Sequence, residues 1–122
     1  MEPRCHRALI VEDDPAIRRL VEKLLARRNI EIDVAADGRI AIEKLRTGRY
    51  SVIVLDLMVP EVNGFEVIDF LREQNLQIPV AVVSAVSQQA LAKLDPAIVK
   101  IVISKPFDAF EFTKKIEALC AS

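Results

Sequence analysis

Short apolar runs alternate with amphipathic segments along the whole chain of 122 residues. The runs are rich in Val, Ile and Leu, which is typical of buried strands, and the segments between them carry apolar residues at helical spacing. Strands that alternate with helices form a parallel sheet with right-handed crossovers. The pattern therefore predicts an α/β fold in one domain, residues 1–122. The predicted strands lie at about 7–12, 30–35, 51–56, 78–84 and 100–104, and the predicted helices at about 15–28, 38–48, 64–75, 87–94 and 108–120.

Local signals mark where several helices begin. Asp14-Pro15 pairs a typical N-cap residue with a residue that suits the first helical turn. Asp37-Gly38 begins the second predicted helix, and Asp108 and Glu111 have the spacing of a capping box before the last one. The third predicted strand, residues 51–56, is almost wholly apolar, which predicts a strand covered on both faces. The second predicted strand, residues 30–35, begins with alternating apolar and charged residues, which predicts an edge strand.

Composition excludes several classes of protein. Hydrophobic residues make up 52% of the chain, which is too many for a disordered protein. The 17 basic residues balance 18 acidic ones, so there is no electrostatic footprint for nucleic acid. No apolar stretch approaches the roughly 20 residues of a membrane span, and the first residues, Met1–Arg4, lack the apolar segment of a signal peptide. We therefore expect a cytoplasmic protein that binds neither nucleic acid nor membrane directly.

The cysteines and the histidine carry no signature of a metal site. Cys5 and Cys120 lie near opposite ends of the chain without metal-ligand spacing. In a reducing compartment we expect two ordinary thiols rather than a disulfide. His6 is the one histidine of the sequence and has no neighbouring ligand cluster, so we expect it at the surface.

Polar side chains follow four of the apolar runs. Glu12 and Asp13 follow the first run, and Asp56, Ser84 and Lys105 end three later ones. Parallel strands end at one edge of their sheet, and that edge is where open α/β sheets bind ligands. Asp13 and Asp56 would disfavour each other's ionisation there unless a cation lay between them, and Mg²⁺ takes oxygen ligands of this kind. With the Ser84 hydroxyl and the Lys105 ammonium group, the edge predicts a divalent cation and a phosphoryl group.

Simpler interpretations exist for the same residues. Acids at helix starts are favoured by the helix dipole, and Asp14 fits that explanation. A plain salt bridge to Asp56 is the alternative for Lys105, and serine often ends strands, so Ser84 alone is a weak signal. For Asp13 and Asp56 we favour the functional interpretation, because charge at the ends of apolar strands is costly.

Four motifs taken together have a specific order and spacing. They are Val11-Glu12-Asp13-Asp14, Leu55-Asp56-Leu57-Met58-Val59-Pro60, Val83-Ser84-Ala85 and Ser104-Lys105-Pro106-Phe107. They resemble the receiver domain of two-component response regulators, such as the chemotaxis response regulators, and the resemblance covers nearly the whole chain. It implies a flavodoxin-like (βα)5 doubly wound parallel sheet with strand order 2-1-3-4-5.

The resemblance also implies roles for the residues at the sheet edge. Asp56 is implied as the phosphoacceptor, with Ser84 and Lys105 in contact with the phosphoryl group. Glu12, Asp13, Asp56 and the backbone carbonyl of Met58 are implied as the Mg²⁺ site. The Lys105–Pro106 peptide bond is expected to be cis by the same resemblance.

A signalling function rather than an enzymatic one follows from the resemblance. A sensor histidine kinase or a phosphotransfer protein would supply the phosphoryl group to Asp56. The modified domain would then change the surface formed by helix 4, strand 5 and helix 5, which a downstream effector domain or protein would recognise. The same surface is where a homodimer would form.

Three positions depart from the family pattern or bear on its chemistry. Val102 stands where the family usually has Tyr or Phe three residues before the lysine, so the coupling of Ser84 to the output surface is open. Met58 and Val86 lie two residues past Asp56 and Ser84. Neither can orient a hydrolytic water, and we hypothesise a long-lived aspartyl phosphate.

Other classes of function remain as alternatives. Val102 gives some weight to a receiver-like interaction module that works without phosphorylation, but the intact set of Asp13, Asp56, Ser84 and Lys105 argues strongly against it. A phosphatase with an aspartate nucleophile usually carries a second acid two residues after it, where this chain has Met58. A flavin carrier would need aromatic residues, and the chain has no Trp and one Tyr.

Overall fold

The computed structural model describes residues 5–121, with side chains described for residues 5–120. Met1–Arg4, on which the expected absence of a signal peptide depends, lie outside the described residues. In the described range, strands and helices alternate strictly in chain order. The strands are β1 (Arg7–Val11), β2 (Glu31–Ala35), β3 (Val52–Leu55), β4 (Val80–Ser84) and β5 (Val99–Ser104). The helices are α1 (Pro15–Ala26), α2 (Gly38–Thr47), α3 (Gly64–Glu73), α4 (Gln88–Leu91) and α5 (Ala109–Ala121).

The strands form one parallel sheet in the order β2-β1-β3-β4-β5. This confirms the predicted flavodoxin-like topology. β1 lies between β2 and β3. The chain therefore runs from β1 to β2 on one side, returns past β1 to β3, and continues away from β2 to β4 and β5. None of the described helices is long and apolar enough to cross a membrane.

The sheet is buried on both faces, because successive side chains of a strand point to opposite sides. In β1, Leu9 and Val11 pack with the apolar faces of α2 and α3. Ala8 and Ile10 pack on the other side, with the apolar faces of α1 and α5. Continuous apolar strands are therefore required at the centre of the sheet, as the sequence pattern predicts.

Side-chain caps explain the start of several helices. Asp14 accepts hydrogen bonds from the backbone N–H groups of Ala16 and Ile17, so its side chain caps α1. Asp108 accepts a hydrogen bond from the Glu111 N–H, 2.6 Å away. The full reciprocal capping box occurs instead at Asn63 and Glu66, at the start of α3.

The fourth helix is shorter than the sequence pattern suggests. α4 ends at Leu91, whereas the apolar spacing favoured a helix to about residue 94. The N–H groups of Lys93 and Leu94 bond to carbonyls three residues back, which tightens the chain into turns. Pro96 follows shortly and cannot continue a helix, because it has no N–H and restricts the residue before it.

The two cysteines form a disulfide, so the expectation of ordinary thiols is wrong. Cys5 and Cys120 are 115 residues apart in sequence, but their Cα atoms are 5.3 Å apart. Each helix returns the chain to the edge of the sheet where the strands begin. The end of α5 therefore lies beside the start of β1, and the sequence separation says nothing about that proximity.

A polar cluster around Asp33 connects β1, β2, α2 and the residues before β3. The Tyr50 hydroxyl donates to Asp33 Oδ2 at 2.7 Å, and Arg7 and Lys44 pair with the same carboxylate at 3.0 Å and 3.2 Å. The Tyr50 hydrogen bond is the main cause of a lowered pKa for Asp33. Burial, followed by the hydrogen bond to Asp33, raises the pKa of Tyr50 to about 12.

The tyrosine titration should report this cluster directly. Tyr50 is the one tyrosine of the chain, and there is no Trp, so tyrosinate absorbance has a single source. We expect the folded protein to titrate at about 12, against 10.0 for an ordinary tyrosine. Because the pKa is raised in the folded state, stability should be full below pH 10.0 and should fall as the pH rises toward about 12. The chain unfolded in urea is the control, and a folded-state midpoint near 10.0 would contradict the burial and pairing of Tyr50.

Candidate functional site

The carboxyl-terminal edge of the sheet brings together the polar residues that follow the strands. Backbone hydrogen bonds extend the ladder past the strand ends and align them. Asp56 N–H donates to the Val11 carbonyl at 3.0 Å, and Lys105 N–H donates to the Ser84 carbonyl at 3.0 Å. The side chains of the predicted site therefore meet at the ends of four neighbouring strands, β1, β3, β4 and β5.

Lys105 forms the centre of the contacts among these side chains. Its Nζ lies 2.8 Å from Glu12 Oε1 and 3.0 Å from Asp56 Oδ2. The two carboxylates are only 5% and 6% exposed, and the lysine side chain is 17% exposed. The salt bridge to Asp56 that the sequence offered as an alternative is thus present, together with one to Glu12 that it did not identify. Charged groups this deeply buried are costly unless each faces a partner of opposite charge, and Lys105 is the partner of both carboxylates.

Asp56 accepts further hydrogen bonds that orient its carboxylate. The Met58 N–H donates to Asp56 Oδ1 at 3.1 Å. The Ser84 hydroxyl is 3.4 Å from the same oxygen and donates to it. The carboxylate is therefore held by three elements of the edge, and Ser84 is fully buried beside it.

Burial and charge shift the pKa values of two site residues. Burial raises the pKa of Glu12, and the hydrogen bond from Lys105 offsets part of that rise. Burial acts to lower the pKa of Lys105, but its hydrogen bonds to Glu12 and Asp56 outweigh burial and raise it. The lysine is accordingly a fixed positive charge at neutral pH.

Three carboxylates could hold a metal ion at this edge. Glu12, Asp13 and Asp56 each offer one oxygen, and these oxygens all lie within 4.8 Å of one another. Asp13 is exposed while the other two are buried, so the cluster opens to solvent on one side. An all-oxygen set with an open side suits Mg²⁺, which keeps several waters. Lys105 compensates only part of the negative charge, and the donor set therefore fits the predicted cation.

The loop between β1 and α1 is fixed by residues that the sequence pattern does not mark as part of the site. Arg18 Nη1 donates to the Glu12 carbonyl at 3.1 Å, and the Glu12 N–H bonds to the Ala35 carbonyl at 3.0 Å. The Asp14 N–H donates to Glu12 Oε2 at 3.1 Å, in addition to the role of Asp14 as the cap of α1. The sequence signal that could have identified Arg18 is its position as a basic residue in the first turn of the helix that follows Glu12.

Close backbone approaches hold the loop between β3 and α3, which carries Met58. A Cβ on Gly64 would lie 2.8 Å from the Asp56 carbonyl oxygen, and one on Gly38 would lie 1.7 Å from the Val62 carbonyl oxygen. Both glycines are buried. Met58 itself is 66% exposed, so its side chain borders the site without being fixed in the core.

Two further expectations concern β5 and the residues after it. The Lys105–Pro106 peptide bond is cis, which confirms the expectation from the family resemblance. Val102 is half-buried and packs against the core beneath α2 and α3. Its carbonyl accepts a hydrogen bond from Lys115 Nζ at 3.2 Å, which links β5 to α5.

Comparison with known proteins identifies one family. Residues 8–117 match the family described as "Response regulator receiver domain". Response regulator ArlR of Staphylococcus saprophyticus is 35% identical over 113 residues, which cover 91% of this chain and 50% of that protein. Transcriptional regulatory protein DltR of Streptococcus agalactiae is 35% identical over 112 residues, covering 90% of this chain and 50% of that protein. The chain thus spans about half the length of the curated relatives it matches.

Solved structures give the same result for the fold. The receiver domain of the Francisella response regulator 1452 superposes with a TM-score of 0.86 at 28% identity, covering 95% of this chain and 97% of that one. Response regulator protein TrrA of Thermotoga maritima, solved in complex with Mg(2+)-BeF, has a TM-score of 0.82 at 28% identity, covering 93% and 98%.

Proposed function

The chain belongs to the response regulator receiver domain family of two-component systems, and we propose that it accepts a phosphoryl group on Asp56 with the help of Mg²⁺. The observation that supports this most directly is the buried Asp56 carboxylate, which faces Lys105 at 3.0 Å and lies within an acidic cluster that opens to solvent. Receiver domains are signalling modules, and we propose that this one acts as a switch and not as an enzyme.

Glu12, Asp13, Asp56 and the backbone carbonyl of Met58 are the proposed ligands of the cation. The acidic cluster supports the first three, and the Met58 N–H that already bonds to Asp56 keeps the backbone of this residue beside the site. TrrA, a similar receiver, was solved in complex with Mg(2+)-BeF. When bound, Mg²⁺ would offset the negative charge of the carboxylates and of the phosphoryl oxygens.

The proposed transfer is an in-line displacement at phosphorus. An oxygen of the Asp56 carboxylate forms the new P–O bond while the P–N bond of a donor phosphohistidine breaks. The bonding electron pair stays on the leaving nitrogen, and a proton on the other ring nitrogen makes the released histidine neutral. Lys105 then balances charge on the phosphoryl oxygens, because its ammonium group already lies at the carboxylate. The Ser84 hydroxyl, now 3.4 Å from Asp56 Oδ1, donates to a phosphoryl oxygen in the product.

The consequence of phosphorylation is proposed to be a population shift in the surface formed by α4, β5 and α5. Ser84 ends β4 and leads directly toward α4, so a movement of its hydroxyl toward phosphate displaces that segment. α4 has only four residues, and none of them is fully buried, so few contacts oppose the movement. The Lys115 bond to the Val102 carbonyl carries the change from β5 to α5.

The partners and location follow from the family and are proposals for this chain. A sensor histidine kinase or a phosphotransfer protein would donate the phosphoryl group in the cytoplasm. A downstream effector domain or protein, or a second copy of this domain, would bind the α4–β5–α5 surface. The single-domain boundary at residues 1–122 is likewise proposed.

The direct experiment is labelling by a small acyl phosphate, measured as the mass gain of one phosphoryl group on the intact chain. We expect labelling in the presence of Mg²⁺ and its loss when a chelator removes the cation. Labelling that does not depend on Mg²⁺ would contradict the proposed site. An absence of any labelling would favour a phosphorylation-independent interaction module, which Val102 supports because an aliphatic side chain cannot swing between buried and exposed positions as an aromatic switch does.

The phosphorylated form should be long-lived. Met58 and the half-buried Val86 carry no polar side-chain atom that could orient an attacking water beside Asp56. We expect a half-life of minutes or longer, measured by loss of the phosphoryl mass after the donor is removed. Met58→Asn should shorten the half-life severalfold, while Met58→Leu, which keeps an apolar side chain, should leave it unchanged. A half-life of seconds in the unaltered protein would contradict the hypothesis of a long-lived aspartyl phosphate.

A further inference from the structure

The Cys5–Cys120 disulfide lies at the opposite edge of the sheet from Asp56. Cys5 is two residues before the start of β1 and Cys120 is in the last turn of α5, whereas Asp56 follows the end of β3. The bond therefore connects the beginning of the central strand to the end of a helix that forms one side of the proposed output surface. The hydrogen bonds that hold the Asp56 carboxylate come from Met58, Ser84 and Lys105 and not from either cysteine.

We propose that this disulfide is a reversible redox site, opened by a dithiol reductant, that controls how firmly the end of α5 is held. The proposal rests on the proposed function for the role of the α5 surface and for the cytoplasmic location. Disulfides in cytoplasmic proteins are usually transient and redox-sensing, because cellular thiols keep cysteines reduced.

The size of the core is the reason to expect that the fold does not need the bond. Small domains depend on disulfides when their cores are too small, but a chain of this length buries enough apolar surface to fold without them. α5 is itself held by Phe112 and Ile116, which are fully buried. Reduction should therefore leave the domain folded and release only the turn beyond Ile116.

Access to the bond is uneven, which assigns the two sulfurs different roles. Cys5 is 3% exposed, while Cys120 is half-buried. A cavity of about 440 Å³ lies beside the bond and is lined by Cys5, Lys100 and Leu119, among others. Cys120 is therefore the sulfur that an outside thiolate reaches, and Cys5 is the sulfur that is released.

The proposed reaction is a thiol–disulfide exchange in two steps. A thiolate of the reductant attacks Cys120 Sγ, which forms a mixed disulfide and releases the Cys5 thiolate, and that thiolate takes a proton from water. The second thiol of the reductant then attacks the reductant sulfur that is bonded to Cys120. This closes the disulfide of the reductant and releases Cys120, which takes the proton of that thiol. The protein gains two thiols as the dithiol is oxidised to a disulfide, so electrons balance.

The contacts that remain after reduction at the end of α5 are weak. Glu117 pairs with Arg28 in the turn after α1, but both side chains are more than 40% exposed, and exposed pairs contribute little. Leu119 and Cys120 pack against the core as partly buried residues. The last turn of α5 should therefore open more often in the reduced protein than in the oxidised one.

The test compares the oxidised, the dithiothreitol-reduced and the reoxidised protein, using the full chain of 122 residues. We expect two titratable thiols after reduction under native conditions and none after reoxidation. Amide exchange should become at least tenfold faster at residues 117–120, through opening of the last turn of α5, while the amides of β1, β3 and β4 stay protected in the reduced protein. The melting temperature should fall by about 10 °C, because the bond closes a loop of nearly the whole chain.

Variants and a second readout make the proposal falsifiable. The pair Cys5→Ser and Cys120→Ser should match the reduced protein and be insensitive to dithiothreitol. If dithiothreitol releases no thiols from the native protein, or if reduction unfolds the whole domain, the bond has a purely structural role and the proposal fails. Mg²⁺-dependent labelling of Asp56 should be equal in both redox forms, so a failure of labelling in both would reject the proposed function and not the redox site.

Discussion

Asp56→Asn should abolish labelling by an acyl phosphate completely. The amide keeps the shape of the side chain, and its oxygen can still accept from the Met58 N–H. It removes the nucleophilic carboxylate and one of the three negative charges of the acidic cluster, and it leaves Glu12 as the ion-pair partner of Lys105. The measurement is the mass of the intact chain after incubation with donor and Mg²⁺.

A matched control is available at the neighbouring Asp14. Asp14→Asn makes the same chemical change at an exposed carboxylate, and asparagine caps helices as well as aspartate does. This variant should label like the unaltered protein. Labelling retained in Asp56→Asn, or lost equally in Asp14→Asn, would show that the accepting group lies elsewhere.

The arrangement of the sheet could be predicted because it depends on local periodicity. Fully apolar β3 and β4 and the alternating start of β2 distinguish central strands from an edge strand before any contact is known. Parallel strands end at a common edge, so residues such as Asp56 and Ser84 could be expected together from their positions alone.

Contacts that depend on distances across the fold could not be predicted in the same way. The salt bridge from Lys105 to Glu12 joins residues whose strands are not neighbours in the sheet. The disulfide depends on α5 returning to the edge where β1 begins. Sequence separation is a poor guide to either contact, and the cysteine expectation failed for that reason.

The role of Gly38 is a third case of this kind. From the sequence, Asp37-Gly38 is recognisable only as a helix start; in the structure, Gly38 also lies close to the backbone of the loop between β3 and α3. The Gly38 N–H donates to the Pro60 carbonyl at 3.3 Å, and a Cβ would lie 1.7 Å from the Val62 carbonyl oxygen and 2.5 Å from its carbon. These are backbone atoms, so no rotamer change can relieve the overlap.

Gly38→Ala should therefore destabilise the protein by about 3 kcal/mol or more, because overpacking against backbone forces the loop to move. Helix propensity alone predicts the opposite sign, since Ala is favoured over Gly by about 1 kcal/mol inside helices. The measurement is the free energy of unfolding from urea denaturation at neutral pH. The sign of the change decides which of the two effects dominates at this position.

The control for Gly38→Ala is Arg39→Ala, at the next and exposed position of α2. Among the residues that the structure describes, Arg39 pairs with Glu43 one turn along the helix, and both side chains are exposed, so its loss should change stability by about 0.5 kcal/mol or less. Because the loop between β3 and α3 also carries Met58, Gly38→Ala should slow labelling of Asp56 under conditions where it is fully folded, and Arg39→Ala should not. A Gly38→Ala variant that is as stable as the unaltered chain would mean that α2 does not pack against this loop as closely as the structure indicates.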